Sequence, residues 1–158
     1  MADGRIAADL IAAGLGLGAA PGPGTPVSSL QGVPAFRVVV EQVGPEAARA
    51  GVRREALQVD VETVLARAGI KTSPAADAIL YVNVAVACDV AACAFNVAVE
   101  AQQKVRLDAR PQAPAFVAAT CSGGVTGVAG TKAGVVRRTV REQVGRFAAA
   151  WRAANPGQ

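Results

Sequence analysis

Two runs of strict alternation, Leu80-Tyr81-Val82-Asn83-Val84-Ala85-Val86-Ala87 and Phe95-Asn96-Val97-Ala98-Val99-Glu100, stand on either side of a short segment bracketed by Cys88 and Cys93. Period-two alternation belongs to a strand with one apolar face, and so short a gap belongs to a hairpin loop. Placing Cys88 opposite Cys93 sets Val86 against Phe95, Val84 against Val97 and Val82 against Val99, all on one side. A one-residue slip would send these partners to opposite faces, so the pattern itself selects the register. In that register the two cysteines are neighbours, and a disulfide can join them if their Cβ atoms approach ~3.8 Å in an oxidising compartment. Judged by spacing alone, all three cysteines, Cys121 included, read equally well as small buried hydrophobes.

The rest of the chain supplies partners for this hairpin. Val33 to Val43 reads as a first strand, with Phe36, Val38 and Val40 on one face, and Gly44-Pro45 ends it. From Arg53 to Ala68 the period becomes helical: Leu57, Val61, Val64, Leu65 and Ala68 form one stripe, and Gly69 is placed to stop it. Ile70 to Thr72 is a short strand. After Val105 and Leu107 the turn Arg110-Pro111-Gln112-Ala113-Pro114 leads to a last strand, Ala115 to Ser122, which Gly123-Gly124 is expected to end. Val136, Val140, Val144, Phe147 and Trp151 then mark one face of a helix running from Thr131 to about Ala153. The order β-α-β-β-β-β-α predicts an α+β two-layer sandwich, a mainly antiparallel sheet with two helices on one face.

That fold occupies residues 31–158 as a single domain, which suits the length. The core must be assembled from small side chains, because the 158 residues include 36 Ala and 24 Val but only four Phe, one Trp and one Tyr. Residues 1–30 read differently. Leu10 to Ala20 is apolar and uncharged, and Pro21-Gly22-Pro23-Gly24-Thr25-Pro26 breaks any helix, which makes the segment signal-like or a linker. No apolar run reaches the ~20 residues of a membrane span.

Much chemistry is excluded outright. The chain has no histidine, so no His-dependent triad, His base or His metal ligand exists. Three cysteines without histidine make a poor metal site, and no metal or cofactor is expected. Cys121 has no imidazole beside it to generate a thiolate. Asp60 and Glu62 are two positions apart on a helix and point to different faces, so Asp60 reads as an anion near Arg53 or Arg67. The net charge is only +4 and aromatics make up 4% of the chain, which argues against nucleic acid. Arg137, Arg138, Arg141 and Arg152 line an arc of the last helix that could meet anionic headgroups, but Glu142 interrupts it and a solvated face is the simpler account. No catalytic set emerges, and the protein is not expected to be an enzyme.

Two features remain for binding. The sheet face turned away from the helices carries Arg37, Val39, Glu41, Tyr81, Asn83, Ala85, Asn96, Ala98, Glu100, Val117, Ala119 and Cys121, with Tyr81, Asn83, Asn96 and Glu100 the candidate interaction residues. Alternatively, the Gly-rich stretch 123–132 forms a loop before a helix and carries a small anionic ligand on Gly124, Thr126 and Lys132. It has neither the Walker spacing nor G-x-G-x-x-G.

Several motifs also resemble a set of small bacterial exported proteins of unknown function. They are Ser29-Leu30-Gln31-Gly32-Val33, Leu57-Gln58-Val59-Asp60-Val61-Glu62 with Ala68-Gly69-Ile70, Leu80-Tyr81-Val82-Asn83-Val84, Ala119-Thr120 with Ser122-Gly123, and Phe147 with Asn155-Pro156. That set usually shows Trp where Cys121 stands and usually lacks the hairpin cysteines. The resemblance implies export but supplies no activity, because that set has none assigned. The expectation is therefore a non-enzymatic envelope or secreted module, periplasmic or extracellular rather than cytoplasmic, that binds an unknown protein partner or a second copy of itself.

Overall fold

The computed structural model describes residues 28–90, 92–129 and 133–158. Most of the signal-like segment, residues 1–27, lies outside them, and so does Lys132 of the anion loop. The folded body already includes Ser28–Leu30, a 3-10 turn whose Leu30 is fully buried.

The strands are β1 (Ala35–Val40), β2 (Lys71–Thr72), β3 (Ala78–Cys88), β4 (Cys93–Val105) and β5 (Phe116–Val128). They form one sheet in the order β2-β1-β3-β4-β5. β1 runs parallel to both β2 and β3, while β3–β4 and β4–β5 pair antiparallel. The helices are α1 (Pro45–Arg49), α2 (Arg54–Arg67) and α3 (Ala133–Ala154). The fold is the α+β sandwich that the periodicities predict, with α1 as an addition. Five residues are too few to display a helical period, but Pro45 at its first turn presets the backbone angle.

The hairpin register is the expected one, from Val82↔Val99 through Val84↔Val97 and Val86↔Phe95 to Cys88↔Cys93. Leu80, Val82, Val84, Phe95, Val97 and Val99 are buried beneath the helices. Val136, Val140, Val144, Phe147 and Trp151 close the core from α3, and the rings of Phe36 and Phe147 meet edge to face at 5.3 Å. Leu57, Val61 and Leu65 bring in α2, and Gly69, at φ +77, turns the chain off its end.

Two expectations about the last strand are corrected. Gly123-Gly124 does not end it: β5 continues to Val128, laddered against β4. At Gly127 a side chain is excluded, since a Cβ there would stand 2.7 Å from Cζ of Phe95. The second correction is the face of Cys121. The register shifts at Ala101/Gln102, so that Cys121 pairs with Ala101 and Ala119 with Gln102, leaving Thr120 as the extra residue of a bulge. Val117 and Ala119 stay on the open face, whereas Cys121 turns to the helix side and packs against the core.

Candidate interaction surface

The open face carries a polar cluster built from β3 and the end of β1. Tyr81 and Asn83 both donate hydrogen bonds to Oε2 of Glu41. Those donors hold the Glu41 carboxyl below the usual carboxylate range, and the same Glu41 bond, with partial burial, pushes the Tyr81 phenol up. Glu100 lies directly across from Tyr81, and Gln102 donates to it at 3.2 Å. Asn96, opposite Ala85, donates to Oγ1 of Thr126 on β5 at 3.0 Å. Tyr81, Asn83, Asn96 and Glu100 therefore share one face. Among the described residues no helix covers it.

Beside this face lies the outer edge of β5, with which no other described strand pairs. Ala129 donates its amide to the carbonyl of Cys93 at 2.8 Å. In an antiparallel ladder inward amides alternate with outward ones, so the amides of Ser122, Gly124, Thr126 and Val128 point away from β4. Near Thr120 the edge is occupied, where the Ser29 hydroxyl donates to the Thr120 carbonyl at 2.9 Å. The 13 residues of β5, FVAATCSGGVTGV, contain no charged residue and no proline. Phe116, Val117 and Val128 are exposed, Val128 by 71%. The opposite edge is only two residues long and carries Lys71.

The hairpin cysteines sit at disulfide distance, with Cα atoms 4.0 Å apart. The Cys93 carbonyl is turned toward β5, so Cys88 and Cys93 face each other as a non-hydrogen-bonded pair, the closer of the two antiparallel spacings. The carboxylate of Asp89 closes the turn by accepting from Ala92 N at 2.7 Å, and Glu46 of α1 accepts from Cys88 N at 3.0 Å. Cys121 remains a free thiol, and burial pushes its pKa up, against thiolate formation.

The anion loop is not assembled as expected. Gly124 and Thr126 lie inside β5, opposite Ala98 and Asn96, so neither stands in a loop leading into a helix. The partner of Asp60 also differs. It is neither Arg53 nor Arg67 but Arg137 of α3, bidentate at 2.7 and 3.0 Å, joined by Arg141 at 3.2 Å. Burial raises the Asp60 pKa, but the two guanidiniums outweigh it and the net shift is downward. Two arginines of the α3 arc are thus committed to an interhelical ion pair. No group of three or more metal-ligating side chains occurs among the described residues. No described helix is long and apolar enough to cross a membrane. The chain matches no family model, no curated protein and no solved structure.

Proposed function

We propose that the protein is a non-enzymatic interaction module of the bacterial envelope or the extracellular space, and that it works by strand pairing along the outer edge of β5. One observation carries this reading: a long edge strand with neither charge nor proline. Edge strands in proteins that stay apart are commonly short, charged, interrupted by proline or covered, because outward amides and carbonyls template pairing with another chain. Here the stretch from Ser122 to Val128 has neither charge nor proline, and among the described residues no strand pairs with its outward amides. The occupant we assign is β5 of a second copy. Two uncharged strands meet without like-charge repulsion, and antiparallel pairing of a strand with its own copy gives a closed two-fold dimer. Tyr81, Asn83, Asn96 and Glu100 lie on the adjoining face and would flank a partner that extends over the sheet.

The Cys88–Cys93 geometry supports an oxidising compartment, as does the resemblance of Ser29–Val33 and Asn155-Pro156 to exported bacterial proteins. Protein taken from its native compartment and alkylated under denaturing, non-reducing conditions should gain one label, on Cys121. Three labels would remove the compartment assignment.

Sedimentation velocity tests the pairing. Wild type should shift from monomer to dimer as concentration rises, and Ser122→Lys/Thr126→Lys should stay monomeric with an unchanged circular dichroism spectrum. A wild type that remains monomeric throughout, or a lysine variant that still dimerises, overturns it. Tyr81→Glu in parallel separates edge from face: edge pairing predicts that it still dimerises.

A further inference from the structure

On the helix side of the sheet a cleft of about 360 Å³ lies between α3 and strands β4 and β5, and it reaches Ser122 and Gly124 at the β5 edge. Its volume falls at the small end of ligand pockets. Val99, Cys121 and Phe147 supply apolar walls, and Gly123 forms a recess in the β5 side. The two helix-facing glycines of β5 differ here. A Cβ at Gly127 would strike the Phe95 ring, while a Cβ at Gly123 would meet nothing within 4 Å. Phe95 fills the space beneath one glycine, and nothing described fills the space beside the other.

Gln143 lines the same cleft. It is only 7% exposed, and among the described residues nothing hydrogen-bonds to its side-chain amide. Buried amides in folded proteins nearly always have partners, so one left open beside an apolar recess marks a place for an external acceptor or donor. One helical turn further on, Arg146 stands at the mouth of the cleft. No described acidic residue pairs with it, in contrast to Arg137 and Arg141, and no described acidic residue lines the cleft.

We infer that this cleft binds a small amphipathic carboxylate, an alkyl or aryl acid. Its apolar body would lie against Val99, Phe147 and Gly123, and its carboxylate would accept hydrogen bonds from Gln143 and Arg146. A guanidinium and an amide donor next to apolar walls complement such an acid in both charge and polarity.

Cys121 gives a direct readout, because it lines the cleft and is the free thiol once Cys88 and Cys93 are paired. The full chain, with those two cysteines oxidised, is titrated with decanoate below its micelle concentration while Cys121 alkylation by iodoacetamide is timed. Amide shifts of Gly123 and Gly124 are followed by NMR. At ten times Kd, mass action predicts about tenfold slower alkylation. Decyltrimethylammonium, with the same chain and the opposite charge, should leave the rate unchanged. Arg146→Glu alters an exposed position and should keep the wild-type denaturation midpoint while losing protection by decanoate. Gly123→Leu should slow alkylation without ligand and abolish the titration. Equal protection by the cation, absence of protection by decanoate, or full protection in Arg146→Glu would each overturn the assignment.

Discussion

The side chain of Asn155, 6% exposed at the end of α3, accepts from the Gly32 amide at 2.7 Å and donates to the Leu30 carbonyl at 2.9 Å. The same amide also donates to the Trp151 carbonyl at 2.8 Å, and Trp151 Nε1 donates to Val33 O at 2.9 Å. The two ends of the described chain are thus stitched together across more than 120 residues of sequence. The Asn-Pro motif near the C-terminus and Ser29–Val33 near the N-terminus form one structural device.

Asn155→Ala should cost about 1–3 kcal/mol, because it strips the Gly32 amide of its acceptor and leaves the Leu30 carbonyl only the longer bond from Val33 N. A lower urea midpoint with an unchanged slope would report it. Asn155→Ser, too short to span all three partners, should recover only part of the loss.

Phe147→Ala and Trp151→Ala should each lose about 3–5 kcal/mol, as expected for buried aromatics in a core otherwise short of large side chains. Trp151 should be the worse of the two, since its removal also strips the Val33 carbonyl of its donor. A wild-type midpoint for either variant would contradict the docking of α3.

Asp60, together with the exposed Glu41, contributes to the acid limb of stability. Its pKa is lowered in the folded state, so its contribution is fully present above the unfolded value of about 3.9 and disappears as pH falls through the lower folded value. Asp60→Asn should make stability fall less steeply across that window and lose about 1–3 kcal/mol near neutral pH. The figure sits below that of a fully buried pair because both arginines remain about 40% exposed. Arg137→Ala should cost more than Arg141→Ala, since Arg137 supplies the bidentate contact. Denaturation midpoints measured from pH 2 to pH 7 would check both statements.

The glycines of β5 test the register beyond the bulge. Gly127→Ala drives a methyl into the Phe95 ring and should lose about 1–3 kcal/mol. Gly123→Ala meets open space and should be neutral or slightly stabilising. Equal effects on the urea midpoint would mean that the two glycines do not sit in these different surroundings.

The β3–β4 hairpin was fully legible because period two and a slip penalty fix both faces at once, from Val82 to Val99. The bulge at Thr120 was not, since an inserted residue leaves no compositional trace, and it alone moved Cys121 to the helix side. The end of β5 runs against its local signal, because Gly123-Gly124 ordinarily punctuates a strand. Here Gly124 and Gly127 lie where the β4 backbone and the Phe95 ring leave no room for a Cβ. The Asp60 partner depends on how α2 docks on α3, which no local spacing encodes. Of the interaction surface, the shared face of Tyr81, Asn83, Asn96 and Glu100 followed from alternation. The outer edge needed the strand order.

Amide hydrogen exchange across β5 probes the pairing one residue at a time. The amides of Ser122, Gly124, Thr126 and Val128 point outward, while those of Cys121, Gly123, Val125 and Gly127 already bond to β4. Pairing with a second copy predicts that the outward set becomes protected as protein concentration rises, and that Ser122→Lys/Thr126→Lys abolishes this change without exposing the inward set. Outward amides that exchange equally fast at every concentration would contradict it.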